Sequence, residues 1–280
     1  MIFFPTIGRC GRLGNQLFQY AAGRALSLKH DTDLFTGSVT NKEWHGQKCL
    51  LPHFNIKVAE TTQELPSHAY QEKDPFRVNK KFFQLPNNVL LNGFFQSIFY
   101  FEDYLSEIKK ELQLKNRSSR FLNHLRDSTK KEIVSVHLRR GDNTDGTDPY
   151  QTALIRHYDL NGGYEKYIST AMSKFSNAHF LVFTGGKRSN DDNIEDMRWC
   201  KNFFKGEEFS FSEGRSAIED FELISSCDHN ILSHVSSFGW WAAFLNINLE
   251  AKRVAPLNYH PDLENYEHRE MFYPKDWVLV

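Results

Sequence analysis

Cysteines are few in this chain and widely separated. The 280 residues include four of them, Cys10, Cys49, Cys200 and Cys227, and no CxxC pair. This spacing argues against a zinc knuckle and against a disulfide scaffold. We therefore expect reduced thiols, most of them packed in the interior.

Long apolar runs are also missing. No run approaches the roughly 18–20 residues of a membrane span. The opening residues Met1–Pro5 are too short for a signal-peptide core and lack its basic lead. We expect no transmembrane segment and a cytoplasmic location.

Neither sign of charge is in excess. Lys and Arg total 34 against 35 acidic residues, which gives a net charge of −1. Binding to a nucleic-acid duplex needs a basic surface that displaces counterions, so nucleic acid is not an expected partner. Apolar residues at 40% and charged residues at 25% fit a globular protein.

The pattern of apolar residues predicts an α/β protein with two domains. The chain opens with a short strand, a glycine turn and a helix with a broad apolar face. In the second half, apolar strands alternate with helical patterns, as in parallel β-α-β units. A polar stretch near residue 130 suggests domains 1–130 and 131–280. The predicted strands are 2–4, 89–95, 132–138, 179–184 and 230–232, and the predicted helices are 17–28, 104–114, 121–125, 163–175, 217–227 and 240–245.

The segment His137–Asp142, with the sequence HLRRGD, has the strongest local signal. Strand alternation puts His137 and Arg139 on one face and Arg140 on the other. The carboxyl end of a buried parallel strand is where open α/β sheets bind ligands, and a planar guanidinium suits phosphate oxygens. Two alternatives stay open: ordinary salt bridges to carboxylates, and an adhesion tripeptide at 140–142, which would need an exposed loop.

Two further segments place polar side chains at the start of a helix. In Gly11–Gln16 (GRLGNQ), glycines between strand and helix let the backbone approach a ligand. Asn15 and Gln16 offer donors and acceptors to a sugar. Ser236 or Ser237 is expected to cap a later helix. Packing or capping alone would also explain these patterns.

Two pairs of acidic residues complete the candidates. Asp191 and Asp192 could indicate a magnesium site, but hard metals need further oxygen ligands that the sequence does not place. A solvated acidic loop is the simpler interpretation of that pair. At Glu219 and Asp220, a carboxylate near a purine could accept two hydrogen bonds from a guanine edge.

Taken in order, these segments resemble the motifs of the α1,2-fucosyltransferases. The resemblance covers nearly the whole chain, although an insertion around 185–187 interrupts the third motif. The matching segments are Gly11–Ala22 with the opening motif, His137–Asp142 with the nucleotide-sugar motif, Phe183–Asp192 with the third motif, Glu219–Trp241 with the last motif and Tyr273–Trp277 with the C-terminal end.

This resemblance implies a GT-B fold, in which two Rossmann-like domains face each other across a cleft. Residues 1–130 would be mainly the acceptor side, and residues 131–280 would bind the nucleotide sugar. The implied reaction moves L-fucose from GDP-L-fucose to the 2-hydroxyl of a terminal galactose in a glycan, with inversion and without a cofactor or metal. The implied partners are therefore the nucleotide sugar and the glycan acceptor, and attachment at the periphery of a membrane where glycans are assembled stays open.

The resemblance also implies roles for single residues. Arg139 would contact the β-phosphate, Asp220 would read guanine, and Ser236 and Ser237 would form a second anion site. The remaining donor-binding residues would be Arg140, Phe238, Gly14 and Asn15, the acceptor-binding residues Asn15 and Gln16, and the catalytic residues Arg139, His137 and Asp142.

Inversion needs a group that takes the acceptor proton. His137, Asp142 and an unidentified carboxylate of the N-terminal domain are all candidates. Two other functions stay open: a transferase of the same architecture that uses another GDP- or UDP-sugar, and a non-enzymatic glycan-binding or adhesion module.

Overall fold

The chain forms two compact units. The computed structural model describes residues 1–39, 42–44, 46–59, 65–74, 78–144, 163–185, 194–257 and 272–280. The first unit contains the described residues up to Asn116 and residues 272–275. The second contains the described residues from Arg117 to Leu257 and residues 276–280.

The first unit is built on a four-stranded parallel sheet with the strand order β2-β1-β6-β5. Its long helix is buried along most of its length, and Tyr20 of that helix donates a hydrogen bond of 2.6 Å to Glu111. The described elements are β1 (Ile2–Phe3), α1 (Leu13–Lys29), β2 (Leu34–Phe35), the antiparallel pair β3 (Glu43–Trp44) and β4 (Gln47–Lys48), β5 (Ala69–Gln71), β6 (Val89–Asn92) and α2 (Leu105–Glu111), with 3-10 turns at Leu51–His53, Lys80–Gln84, Ile98–Tyr100 and Glu102–Tyr104.

The second unit is built on a six-stranded parallel sheet with the strand order β12-β11-β10-β7-β8-β9. Its described elements are α3 (Arg120–Thr129), β7 (Glu132–Arg139), a 3-10 turn (Gly141–Asn143), α4 (Gly163–Met172), β8 (Ala178–Gly185), α5 (Ile194–Phe203), β9 (Phe209–Phe211), α6 (Ala217–Ile224), β10 (His229–Ile231), α7 (Ser237–Phe244), β11 (Arg253–Ala255) and β12 (Val278–Leu279).

The two faces of β7 pack against different helices. Val134, Val136 and Leu138 belong to a buried apolar cluster that includes residues of α4 and α5. On the opposite face, the ring of His137 contacts Phe238 in the first turn of α7. Both faces are therefore covered, as in parallel sheets generally, and the β-branched composition of this strand follows from its double burial.

The structure confirms the predicted α/β class and the long elements. Its two units differ from the predicted domains 1–130 and 131–280 in two places, since residues 272–275 also belong to the first unit. The second unit begins at Arg117 instead of near residue 130. The helix α3 packs against β7, and its Arg126 pairs with Asp228 at 2.9 Å. In the second unit, the structure adds α5, β9, β11 and β12 to the predicted elements.

Candidate active site

Four neighbouring strands of the second unit end at one edge of the sheet. Because β10, β7, β8 and β9 are parallel and adjacent, their carboxyl ends lie side by side. Arg139 ends β7, Gly185 ends β8, Ser212 follows β9, and Ser233 lies two residues beyond β10. This edge is where open α/β sheets bind ligands.

Contacts of both its backbone and its side chain fix Arg139 at this edge. Its backbone N–H donates to the Ser233 hydroxyl at 2.8 Å, and its guanidinium donates to the Gly185 carbonyl at 3.2 Å. The same guanidinium forms an ion pair with the buried Asp142 carboxylate. Arg139 is therefore a permanent cation in a fixed orientation, which is what binding of a phosphate requires.

Arg140 points to the other face of β7 and has protein partners of its own. Its guanidinium lies 4.0 Å from the centre of the Trp199 ring, and its Nε donates to Asp196 at 3.3 Å. Arg140 therefore forms the salt bridge that the sequence left open as an alternative, and its partner Asp196 is a buried carboxylate. Contact between Arg140 and a donor stays a prediction.

Asp196 was missed by the sequence analysis. This buried carboxylate also accepts the Gly141 N–H at 3.1 Å and the Thr144 hydroxyl at 3.3 Å. It therefore holds the turn that carries Asp142 to Arg139. The sequence carried no usable signal for it, because a charged residue occupies a buried position of α5.

His137 is buried beside the start of α7. Burial lowers its pKa to about 4, so the ring is neutral at pH 7. Among the described residues, its Nδ1 has no hydrogen-bond partner. A side chain at Gly239 would place a Cβ only 2.7 Å from that nitrogen. With its pKa lowered in this way His137 is a weak base, and its catalytic role stays a prediction.

Of the two predicted cap candidates, Ser236 is the N-cap of α7, and Ser237 is its first helical residue. The Ser236 backbone is extended, and its hydroxyl accepts the Gly239 N–H at 3.2 Å. Ser237 and Phe238 form the first turn, and both are half-buried. The positive end of a helix therefore lies beside the strand that carries Arg139, which would favour an anion.

Asp220 lies in the first turn of α6. Its carboxylate accepts a hydrogen bond of 2.5 Å from the Ser212 hydroxyl, and burial raises its pKa to about 7. The ring of the following Phe221 contacts Phe238 in an edge-on arrangement. Phe238 in turn contacts His137, so Phe221, Phe238 and His137 form one connected ring cluster, and Asp220 directly precedes its first member.

Gly14, Asn15 and Gln16 lie in the first unit, at the start of α1. Asn15 is half-buried, and its side-chain oxygen accepts a hydrogen bond of 2.8 Å from Gln96. Gly11 has a φ of +86°, and a Cβ there would lie 2.6 Å from the Cβ of Asn15. The glycine turn is thus required for Asn15 to occupy its position.

Gln16 has a different environment from Asn15. It is buried, donates to the Gly11 carbonyl at 3.1 Å and accepts the Leu50 N–H at 3.2 Å. These contacts hold the turn, and acceptor binding by Gln16 stays a prediction. Gly14 is buried in the first turn of the same helix.

Glu72 is one of the buried carboxylates of the first unit, where the sequence leaves a candidate for the base unidentified. Glu72 follows β5, and burial raises its pKa to about 7. Its Oε2 accepts the N–H groups of Phe94 and Phe95 at 2.6 and 2.9 Å, which fixes the segment leading to Gln96. These contacts point first to a role in holding that segment.

The metal prediction can be examined only in part. Asp191 and Asp192 lie outside the described residues. Among the residues that the structure does describe, no three His, Cys, Asp or Glu side chains are grouped as metal ligands. Within the same part of the chain, no helix combines the length and the apolar character needed to cross a membrane.

Comparison with known sequences gives matches over most of the chain. The family model described as Glycosyl transferase family 11 matches residues 3–280. An alpha-1,2-colitosyltransferase of Escherichia coli is 26% identical over 96% of both chains. A galactoside alpha-(1,2)-fucosyltransferase 1 of Bos taurus is 28% identical over 86% of this chain and 66% of its own. The chain thus spans about two thirds of the length of that mammalian relative.

Comparison with solved structures supports the fold. The fucosyltransferase NodZ from Bradyrhizobium superposes with a TM-score of 0.52 over 87% of this chain and 93% of its own, at 14% identity. A NodZ alpha-1,6-fucosyltransferase crystallised with GDP gives a TM-score of 0.50 over 87% of this chain and 92% of its own, at 12% identity. Together with the two parallel sheets, these matches confirm the predicted GT-B-like fold. Because the family model extends from residue 3 to residue 280, the chain belongs to glycosyltransferase family 11 and is an enzyme of the fucosyltransferase type.

Proposed function

We propose that this protein transfers L-fucose from GDP-L-fucose to the 2-hydroxyl of a terminal galactose in a glycan, with inversion at the anomeric carbon. The observation that carries the proposal is the fixed Arg139 cation at the carboxyl edge of the second unit, in a chain that matches the family over residues 3–280. The likeness to galactoside fucosyltransferases at 26–28% identity supports the acceptor assignment.

Arg139 is assigned to the departing diphosphate. As the bond to fucose breaks, negative charge grows on the β-phosphate, and a preorganised cation there lowers the barrier. The N-terminus of α7, capped by Ser236, supplies a second positive group on the same side of the strand. These two groups would perform the charge neutralisation for which other transferases use magnesium.

Asp220 is assigned to the guanine base. An ionised carboxylate is an acceptor-only group, and guanine presents two N–H donors on one edge. Among the described residues, only one of the Asp220 oxygens has a hydrogen-bond partner, the Ser212 hydroxyl. The other oxygen is therefore available to a base.

Asn15 and Gln96 are the groups of the first unit that we assign to the sugars. Their linked carboxamides present both donors and acceptors beside the first turn of α1. We propose no strong general base, because burial lowers the pKa of His137 and because Asp142 is paired with Arg139. A cytoplasmic location is also part of the proposal, and cell fractionation tests it.

A second donor is favoured by a specific relative. The colitosyltransferase of Escherichia coli matches 96% of this chain, and colitose is the 3-deoxy counterpart of L-fucose. A pocket for one sugar would need to change at only one hydroxyl to accept the other. GDP-colitose is therefore the alternative donor to test first.

A donor panel tests the proposal directly. The purified protein is given GDP-L-fucose, GDP-colitose, GDP-mannose and UDP-galactose with and without lactose, and products are identified by mass spectrometry. We expect slow hydrolysis of GDP-fucose alone and transfer to the galactose 2-hydroxyl when lactose is present. Preference for GDP-colitose would assign the alternative donor. Glycan binding without turnover or GDP affinity would indicate a binding module.

A further inference from the structure

Arg215, Ser212 and Asp220 form a hydrogen-bonded chain in the second unit. The Ser212 hydroxyl donates to Asp220 Oδ1 at 2.5 Å, and Arg215 Nη1 donates to the Ser212 Oγ at 3.3 Å. A guanidinium can only donate, and a hydroxyl has a single hydrogen. With Arg215 donating at one end, the Ser212 hydrogen is directed to an ionised Asp220 at the other.

The members of this chain are fixed by separate elements. Ser212 is buried at the end of β9, and its backbone N–H donates to the Val182 carbonyl at 2.9 Å. The Arg215 guanidinium lies 4.2 Å from the centre of the Phe121 ring, on α3. Asp220 lies one residue beyond the capping box that starts α6. The carboxylate orientation is therefore determined by three packed elements.

The hydrogen bond from Ser212 occupies only one oxygen of the Asp220 carboxylate. In the part of the protein that the structure describes, Asp220 Oδ1 accepts from Ser212, whereas Oδ2 has no hydrogen-bond partner. Asp220 is half-buried, so a ligand can reach it. This arrangement is suited to a planar donor pair that approaches from outside.

We propose that Ser212 and Arg215 are positioning residues, which orient the Asp220 carboxylate and keep it ionised for the N1–H and N2–H groups of guanine. The inference rests on the proposed function, because that proposal assigns guanine to Asp220. Neither Ser212 nor Arg215 need touch the nucleotide. They act through the carboxylate and determine how much of the protein is competent to bind GDP at neutral pH.

The groups around Asp220 shift its ionisation to neutral pH, so the positioning role can be measured through the pH dependence of GDP binding. Burial raises its pKa to about 7, the Ser212 hydrogen bond and the Arg215 charge act in the opposite direction, and the neighbouring Glu219 adds to the rise. A protonated carboxyl would direct its own hydrogen at a guanine donor. GDP affinity should therefore fall as the pH falls through about 7, and loss of Ser212 or Arg215 should move that fall to higher pH.

The test measures GDP and ADP affinity by calorimetry between pH 5.5 and 9. The ratio of the two affinities cancels the titration of the phosphates, which the nucleotides share. For the unmodified protein, a pKa of about 7 predicts that the ratio falls about tenfold from pH 8 to pH 6. Ser212→Ala and Arg215→Gln should each lower this ratio about fivefold at pH 7, relative to the unmodified protein. By pH 9 the ratio of both variants should return to that of the unmodified protein.

Two further variants serve as controls. Ser212→Thr keeps the hydroxyl and should keep the original pH profile. Lys201→Gln removes a nearby cation that pairs with Glu213 at 2.7 Å and takes no part in the chain, so it should also leave the profile unchanged. Melting temperatures measured on every variant identify any that fail to fold, and Arg215→Gln tests the inference if Ser212→Ala is one of them.

The outcomes separate the two proposals. If the unmodified protein does not distinguish GDP from ADP at any pH, the guanine assignment itself is wrong. If it does distinguish them but the variants keep its profile, the positioning role of Ser212 and Arg215 is wrong. Equal weakening of GDP and ADP at all pH values would also overturn it, because that result indicates general damage to the pocket.

Discussion

Arg139→Lys separates the geometry of this side chain from its charge. The substitution keeps the cation but replaces a planar fork, which now contacts both the Gly185 carbonyl and Asp142, with a single ammonium. An ammonium can keep the pairing with Asp142, so no buried carboxylate is left without a cation. Removal of the charge would cost about 3–5 kcal/mol of stability for that reason, which is why lysine is the better test than alanine.

The expected magnitudes differ for stability and for turnover. Loss of one hydrogen bond from a charged group should lower the free energy of unfolding by about 1.5–3 kcal/mol. Loss of a donor that strengthens as the diphosphate departs should raise the barrier by about 3–4 kcal/mol, hence a hundred- to thousandfold fall in turnover. An arginine that only stabilises the fold would give the first effect without the second.

The assay measures thermal unfolding and turnover at saturating donor on the same preparation. Arg126→Lys is the matched control, because Arg126 also forms a forked pair, with Asp228 at 2.9 and 3.2 Å. This pair lies at the amino end of β7, the strand that ends at Arg139. The control should lose stability and keep its turnover. Turnover of Arg139→Lys within about threefold of the unmodified enzyme would refute the reasoning and make Arg140 the next residue to test.

Three further outcomes are expected. Asp220→Asn should weaken GDP more than UDP or ADP, measured by calorimetry, because an amide presents hydrogens where guanine needs an acceptor; equal losses would indicate a structural role. Activity should survive excess EDTA, since arginine and a helix N-terminus supply the positive charge; complete loss that manganese or magnesium restores would contradict this and make Asp191 and Asp192 the candidate ligands. Gly239→Ala should lower the free energy of unfolding by about 1–3 kcal/mol, because its Cβ would lie 2.7 Å from His137 Nδ1. A double-mutant cycle measured by denaturant unfolding tests this contact. His137→Ser should lower the free energy of unfolding less when residue 239 is alanine than when it is glycine. If the two substitutions lower that free energy additively, the two residues do not interact.

The sequence predicts the elements that are buried on both faces. The strands at 132–138 and 179–184 are apolar and β-branched because helices cover both sides of the sheet, and the structure extends them by only one or two residues. The serine cap of α7 was predicted for a similar reason, since the hydroxyl satisfies a backbone N–H that the helix leaves without a partner. Such features can be recognised from a few consecutive residues of the sequence.

Features that depend on a distant partner were not predictable. In α5 the buried residues are Asp196, Met197 and Cys200, so a carboxylate stands where the apolar pattern needs a hydrophobic residue. The short edge strand β9 carries too few residues to show a period. The hydrogen bond between Ser212 and Asp220 joins residues eight positions apart through a strand end and a helix start, and no spacing rule indicates it.

The two arginines of the HLRRGD segment illustrate how much depends on strand alternation. Successive side chains of β7 face opposite sides of the sheet, so Arg139 meets Asp142 and the Gly185 carbonyl while Arg140 meets Asp196 and Trp199. Asp196 also accepts the Gly141 N–H, and it therefore fixes the turn that brings Asp142 to Arg139. The two arginines are thus coupled through that turn. A substitution of Arg140 will disturb the site even if Arg140 never touches the donor, so loss of activity on its own would not identify Arg140 as a phosphate ligand.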